Sequence, residues 1–145
     1  MLKHVARPAV GSRLSVVGDT VTVLQQADGF ELFRLDGAKD SGPPPHSHPW
    51  DETYFVLDGE VEVMLDGESA VHGPEDSFHV PAGGLHTFRI ASPTAAFLVV
   101  TSGDRAGAFF ADLDANVAHG APNDETLPGI IDVAKRNGLS SPLFA

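Results

Sequence analysis

The sequence predicts an all-β domain, a sandwich or barrel of short strands, followed by a short helical tail. Fifteen Gly and eleven Pro residues are more than a helical bundle tolerates, and they separate short segments rich in β-branched and aromatic residues. In the last third of the chain the apolar residues instead recur at helical spacing. The chain has 145 residues, too few for two domains of usual size. We therefore expect a single domain over 1–145, with the barrel at about 14–102 and the helical tail at about 105–145.

Tight turns separate most of the predicted strands. Asp58-Gly59 and Asp66-Gly67 are dipeptides that favour two-residue hairpin turns, and apolar and polar residues alternate between them. Residues 36–45 form a polar loop that ends in three prolines, which hold the chain extended before the next strand. The predicted strands are 20–24, 30–35, 52–57, 60–65, 68–72, 77–80, 87–90 and 95–101, with further extended chain from residue 14.

Two helices are predicted after the last strand. Apolar residues recur close to helical spacing over 109–118, beginning with Phe109 and Phe110. A second stretch, 127–138, carries an apolar face and ends at Gly138, a residue type that commonly follows a helix. We expect both helices to pack on the outside of the barrel or over its mouth.

Composition excludes several classes of function. Cysteine is absent, which rules out disulfides, thiolate catalysis and iron–sulfur clusters. Nine Lys and Arg against twenty Asp and Glu give a formal charge of −11, whereas nucleic acids and anionic membranes attract basic surfaces. No segment approaches the roughly 18–20 apolar residues of a transmembrane helix, and the N-terminus lacks the apolar run of a secretory signal. We therefore expect a cytoplasmic protein with no nucleic-acid or membrane partner.

Four side chains of one short segment and a later strand form a candidate metal site. His46, His48 and Glu52 have the same parity, so on an extended chain without a bulge near Pro49 they share one face. His86 comes from a separate predicted strand. If both strands line one barrel, three imidazoles and a carboxylate converge. Such a set suits a divalent first-row metal and leaves positions for water, substrate or dioxygen.

The order and spacing of this set carry more information than any single histidine. Seven histidines in 145 residues give a His-x-His pair by chance about 0.3 times, and a glutamate at one fixed offset lowers that to about 0.02. His46-Ser47-His48, with Glu52 and Gly59 at their spacings, resembles the first motif of the cupins. Pro81-Ala82-Gly83-Gly84-Leu85-His86 resembles the core of the second cupin motif.

The resemblance covers about 42–90 by motif, and it implies a double-stranded β-helix, or jelly-roll, barrel with one metal ion inside. The residues in the places of the family's four ligands are His46, His48, Glu52 and His86. Two positions depart from the family pattern without removing a ligand: Glu75-Asp76 stands where Gly-Asp is usual, and Ile90 stands where Asn is usual. The tail is loosely similar to that of bacterial single-domain cupins described as quercetin-dioxygenase-like. Sequence does not choose among iron, manganese, nickel, cobalt, copper and zinc.

Aromatic and apolar residues near the ligands are predicted to form a substrate pocket, with core packing as the alternative for each. The candidates are Tyr54, which shares the parity of the ligands, Phe88 and Ile90, which share that of His86, and Phe78. Other side chains are predicted as follows: Trp50 at a rim or interface, His79 as a strand histidine rather than a cavity donor, Arg89 in solvent, Arg34 with its orientation open, and His4, His72 and His119 on the surface.

Three functions remain open, and a structural protein with an empty barrel is the least expected alternative, because burying three histidines and a carboxylate without a partner costs free energy. In the first, which the quercetinase-like resemblance implies, Glu52 is a ligand that also deprotonates an enolisable or flavonol-like compound, and a metal-dependent dioxygenase results. In the second, the same site serves a lyase, isomerase or hydrolase. In the third, the barrel binds a small ligand without catalysis. In each case the partner is a small molecule, and we expect a homodimer paired through N-terminal strands.

Overall fold

The computed structural model describes residues 6–144, so the predicted surface position of His4 lies outside the described residues. Within that range the chain forms a run of strands, then two helices and a final 3₁₀ turn. The strands are β1 (Arg13–Val16), β2 (Asp19–Gln26), β3 (Phe30–Ala38), β4 (Glu52–Asp58), β5 (Val61–Leu65), β6 (Glu68–His72), β7 (Ser77–Val80), β8 (His86–Ile90) and β9 (Thr94–Ser102). The helices are α1 (Ala106–Asn116) and α2 (Leu127–Arg136), and the turn is Pro142–Phe144.

The strands form two antiparallel sheets, which confirms the predicted all-β fold with short C-terminal helices. One sheet has the order β1-β2-β3-β9-β4-β7, and the other has the order β6-β5-β8. Strands distant in sequence lie side by side, since β9 pairs with both β3 and β4, and β8 pairs with β5. These crossovers are those of a jelly-roll barrel and differ from a simple meander.

The proline-rich segment before β4 connects the two sheets. It runs antiparallel to β8, where the Ile90 amide donates to the Ser41 carbonyl at 3.0 Å and the His86 amide donates to the His46 carbonyl at 2.9 Å. The predicted extended conformation of this segment therefore has a partner strand, and the pairing fixes the position of His46 against His86.

Side chains alternate between the barrel interior and the outside, as the period of two in a strand requires. Val21, Val23 and Phe33 are fully or almost fully buried on the inner face of the larger sheet. Arg34, whose orientation the sequence left open, lies on the outer face, where its guanidinium contacts the Asp36 carboxylate at 3.0 Å. Arg89 is exposed, as predicted.

The two helices pack against the barrel beside β1. The Ser15 amide of β1 donates to the Asp114 carboxylate at 2.8 Å, and the Phe110 ring meets the Phe33 ring edge-on at 5.0 Å. Helix α1 begins at Ala106, three residues earlier than predicted, because its first turn is buried over the barrel. Helix α2 ends before Gly138, which has a left-handed backbone (φ 86°). In the described residues, neither helix is long and apolar enough to span a membrane.

Candidate metal centre

Three imidazoles meet inside the barrel near the start of β4. His46 and His48 come from the segment before β4, and His86 is the first residue of β8. One ring nitrogen of each histidine lies within 4.8 Å of those of the other two. His48 and His86 are buried, at 5% and 0% exposure, and His46 is half-buried. The distance between these nitrogens is short enough for one ion to contact all three.

Each of the three rings is held through Nδ1 by a backbone carbonyl two residues away. The acceptors are Pro44 O for His46 at 2.8 Å, Trp50 O for His48 at 2.9 Å, and Gly84 O for His86 at 2.9 Å. A carbonyl oxygen can only accept a hydrogen bond, so Nδ1 is the donor and carries the hydrogen in all three rings. Nε2 is then the nitrogen with the free lone pair when the ring is neutral. Backbone carbonyls commonly orient metal-binding histidines in this way.

Glu52, the first residue of β4, adds a carboxylate to the same point. Its Oε2 lies 2.6 Å from His48 Nε2 and 3.4 Å from His86 Nε2. Burial would raise the pKa of Glu52, but the adjacent His48 and His86 rings lower it to about 2. Burial, together with the neighbouring His86, lowers the pKa of His46 to about 4. At neutral pH the site therefore offers an ionised carboxylate and an uncharged His46 ring.

The donor set fits a divalent transition metal. His86 Nε2 is buried and has no hydrogen-bond partner among residues 6–144, although an unpaired buried polar atom is costly. Three imidazole nitrogens and one carboxylate oxygen suit iron, manganese, cobalt, nickel, copper or zinc, whereas magnesium and calcium prefer oxygen ligands. The structure thus brings together all four residues that the sequence singled out as ligands.

A mainly apolar cavity opens from this cluster. Side chains from the inner faces of both sheets and from both helices form its walls, and His46, His48 and Glu52 line one part of it. Tyr54 and Phe88 also line the cavity. Burial, with a smaller contribution from the neighbouring Glu52 carboxylate, raises the pKa of Tyr54 well above its usual value, so its hydroxyl keeps its proton.

Two predicted pocket residues lie outside the cavity lining. Phe78 shares the inner face with Val80, but its ring packs against His72 at 5.0 Å between the two sheets. Ile90 is fully buried, and its Cδ1 lies against Gly37. Both residues therefore serve core packing, which the sequence analysis gave as the alternative for each.

Similarity to known proteins agrees with the fold. Residues 33–102 match the family model described as "Cupin domain". The chain is 32% identical over 96 residues to quercetin 2,3-dioxygenase of Bacillus subtilis (strain 168), an alignment that covers 63% of this chain and 28% of the relative. Residues 33–102 form a cupin domain.

Further relatives of this cupin are named after different reactions. It is 37% identical over 62 residues to dimethylsulfoniopropionate lyase DddQ of Ruegeria pomeroyi. This alignment covers 42% of this chain and 31% of the lyase. The solved structure of the polyketide cyclase RemF from Streptomyces resistomycificus is 29% identical, with a TM-score of 0.57, and covers 70% of this chain and 80% of RemF. The cupin thus spans about a third or less of the length of the quercetinase and the lyase.

The sequence predicted Trp50 at a rim or interface, but the structure places it inside the barrel. It is 5% exposed, and its indole stacks almost parallel on the His48 ring with 4.5 Å between centroids. The Arg105 guanidinium lies over the indole ring, 5.8 Å from its centroid. Trp50 shares the parity of the ligands, which is the signal that places it on the inner face.

Several remaining histidines lie away from the cluster. His79 is exposed and hydrogen-bonds to the Thr53 hydroxyl at 3.0 Å, so it is the strand histidine that the sequence favoured. His119 is exposed near Asp114. His72, predicted on the surface, is instead half-buried against Phe78.

Three buried carboxylates among the described residues escaped the sequence analysis: Asp19, Glu31 and, in α1, Asp112. Glu31 is fully buried and satisfied, since it accepts from the Gly107 amide at 3.0 Å and contacts the Arg7 guanidinium at 3.2 Å. Asp19 is 4% exposed and lines the cavity. The available signal was parity, since Asp19 has the same parity as the buried Val21 and shares its face of β2.

Proposed function

We propose that this cupin is a metal-dependent dioxygenase that acts on a small enolisable or flavonol-like compound. One observation carries the proposal: three histidines, each oriented through Nδ1, converge with Glu52 at a mainly apolar cavity. His46, His48, Glu52 and His86 would hold one divalent transition-metal ion. When bound, such an ion supplies Lewis acidity toward substrate oxygens and, for a redox-active metal, reactivity toward dioxygen.

Glu52 is placed to receive a proton from a substrate hydroxyl, which a bound metal ion would make more acidic. It is ionised at neutral pH, and its carboxylate faces the cavity beside His48. A substrate hydroxyl that reaches this position can transfer its proton to a Glu52 oxygen, which leaves an electron-rich enolate. Tyr54 keeps its hydroxyl proton next to Glu52 and can donate a hydrogen bond to the substrate.

The cavity walls favour a flat, mainly apolar substrate. Phe88, Phe97 and Tyr54 form mutually edge-on or tilted ring contacts, with centroids 5.2 to 6.1 Å apart. Rings of this kind pack well against aromatic ligands and exclude water. The likeness to proteins named quercetin 2,3-dioxygenase and polyketide cyclase supports a polycyclic, hydroxylated substrate.

A lyase or isomerase is the second candidate. The likeness to a protein named dimethylsulfoniopropionate lyase supports it, and so does the Tyr54–Glu52 pair, which offers a proton donor beside a proton acceptor. This chemistry needs no dioxygen. A binding module without turnover is the third candidate, and the same experiment separates all three.

The test is turnover of a flavonol by metal-loaded protein with and without dioxygen. A dioxygenase consumes dioxygen as the flavonol absorbance disappears, and turnover stops under argon. Glu52→Gln should lower the rate by about 10²–10⁴-fold at equal metal content, whereas Glu62→Gln, an exposed carboxylate on β5, should leave it unchanged. Turnover that persists under argon would favour the lyase, and binding without turnover under either gas would favour the binding module.

A further inference from the structure

Asp19 is a buried carboxyl group that the proposed chemistry does not use. It is the first residue of β2, is 4% exposed and lines the same cavity as Glu52 and Tyr54. Its Oδ1 atom has no hydrogen-bond partner among the described residues, and neither has the buried hydroxyl of Ser41. An unpaired carboxyl group inside a protein costs free energy, so such a group calls for a role.

The local structure gives Asp19 no structural role. The turn before it is formed by the left-handed backbones of Val17 (φ 51°) and Gly18 (φ 91°), as in a two-residue hairpin, and needs no side-chain support. Neighbours on the same inner face, Val21 and Val23, are apolar. An apolar residue at position 19 would continue that pattern without an unpaired group.

Asp19 and Ser41 are neighbours at one place in the barrel wall. A Cβ atom added to Gly37 would lie 2.5 Å from Asp19 Oδ1 and 2.9 Å from Ser41 Oγ, so the glycine leaves room for both groups. Burial raises the pKa of Asp19 to about 6, an effect that the nearby Ser41 hydroxyl reduces. The described residues place no charged side chain close enough to contribute to this shift.

This polar pair lies at a distance from the metal-site cluster. Along β8, Ser41 is opposite Ile90 and His46 is opposite His86. Four residues of strand span roughly 13 Å at about 3.3 Å each. The wall between the two ends is apolar and includes Phe88 and the prolines before His46. The cavity lining therefore includes Asp19 as well as the His46, His48 and Glu52 cluster, with apolar side chains between them, and a flat three-ring compound is of comparable length to this separation.

We propose that Asp19, with Ser41 beside it, is a specificity-determining anchor that accepts a hydrogen bond from a hydroxyl group at the far end of an elongated aromatic substrate. The proposal rests on the proposed function, in which the other end of the substrate meets Glu52 and the three histidines. A hydroxyl group suits the anchor better than a cation, because a neutral donor crosses the apolar middle without the desolvation cost of a charge.

The test compares two flavonols that differ only at the far ring. Kaempferol carries a 4′-hydroxyl group there, and galangin has none. The chain contains a single tryptophan, Trp50, which lines the cavity, so quenching of its fluorescence reports binding to the metal-loaded protein without requiring turnover. Asp19→Val removes the anchor, Asp19→Asn keeps an acceptor oxygen, and Asp36→Val removes an exposed carboxylate on β3 as the matched control.

We expect the wild type to bind kaempferol about ten- to a hundredfold more tightly than galangin, since hydrogen bonds to carboxylates are among the stronger ones. Asp19→Val should abolish this preference, Asp19→Asn should retain part of it, and Asp36→Val should leave it unchanged. Circular dichroism checks that each variant is folded. If Asp19→Val does not fold, the test is made with the nearly isosteric Asp19→Asn.

Two outcomes would overturn the proposal, and they differ. Equal binding of the two flavonols by the wild type, or a preference that survives in Asp19→Val, would exclude the anchor and leave the metal site untouched. Failure of both flavonols to quench Trp50 would exclude the anchor together with the substrate class of the proposed function.

Discussion

At the scale of single residues, the orientation of the three histidines decides what the site can bind. Each Nδ1 is held by a carbonyl two residues away, so the local backbone rather than a distant side chain fixes each ring. The stack of Trp50 on His48 adds a packing constraint on the ring that lies closest to Glu52. Such support holds ligands in place before an ion binds, which lowers the cost of binding.

Asp19 gives a prediction at this scale. Its pKa rises from 3.8 in the unfolded chain to about 6 in the fold, so its contribution favours folding below pH 4 and is lost as the pH rises through 6. Asp19→Asn removes this dependence. From pH 4 to pH 7 the free energy of unfolding of the variant should therefore rise relative to the wild type by up to about 3 kcal/mol. Urea unfolding at a series of pH values measures the difference.

A difference between Asp19→Asn and wild type that stays constant over this pH range would contradict the raised pKa of Asp19. Asp36→Asn, at an exposed position on the neighbouring strand, is the control and should show no comparable pH-dependent gain. A gain in stability from removing a group that binds substrate is a common trade-off between stability and function.

At the scale of elements, the segment from residue 40 to residue 46 connects the sheet pairing to the metal site. It runs beside β8 so closely that a Cβ on Gly42 would lie 1.8 Å from the Phe88 carbonyl oxygen. Only glycine allows this approach without moving the backbone. The position of His46, four residues further on, depends on the same pairing.

Gly42→Ala should therefore push this segment away from β8 and displace His46. We expect a loss of about 2–4 kcal/mol in the free energy of unfolding, together with weaker metal binding. Gly73→Ala is the matched control, because a Cβ at that position meets no atom within 4 Å. Urea unfolding and metal titration of both variants measure the effect, and equal behaviour of the two would refute the close approach.

The contact between α1 and α2 is the second point at element scale. The Asp112 carboxylate is 7% exposed and contacts the Arg136 guanidinium, with Nε at 2.8 Å, while it also accepts from the Asn137 amide at 2.8 Å. Asp112→Ala removes the acceptor that both donors share, although the exposed Arg136 can turn to water and the half-buried Asn137 amide keeps its bond to the Val133 carbonyl. We expect it to lower the free energy of unfolding by about 1–3 kcal/mol, with Asp132→Ala, on the surface of α2, near neutral.

Because both helices line the cavity, loosening their contact should also make Trp50 more accessible. Iodide quenching of Trp50 fluorescence in Asp112→Ala checks this, and unchanged quenching would show that the helices do not cover that part of the cavity. Chemical denaturation gives the stability change in the same samples.

At the scale of the whole molecule, parity explains both what the sequence could predict and what it could not. Counting even positions from His46 to Tyr54 identifies the inner face that leads into β4 and brings three of the four ligand candidates together, while His86 comes from the second motif on β8. Parity predicts which face of a sheet a side chain lies on, but not its position along the barrel axis. Phe78 and Ile90, which were predicted in the pocket, therefore lie in packed regions beside the cavity. This position depends on strand register and crossovers, which only the three-dimensional pairing fixes.

Asp19 and Trp50 show two other limits. Asp19 follows Gly18 in a turn-forming dipeptide, so local chemistry favours a turn there and conceals its place on the inner face of β2. Trp50 follows a proline outside any strand, where the parity rule is weakest, and its burial depends on His48 and on Arg105 beyond β9. The homodimer expected from the sequence stays a prediction.

The central claim is that His46, His48, Glu52 and His86 hold one divalent metal ion. Elemental analysis of protein purified without a histidine tag and reloaded with each first-row metal tests it most directly. The wild type and His79→Ala, which removes an exposed histidine of β7, should hold about one ion per chain, and folded His48→Ala should hold far less. Wild-type protein that retains no ion with any of the metals, or a folded His48→Ala that retains as much as the wild type, would contradict the claim.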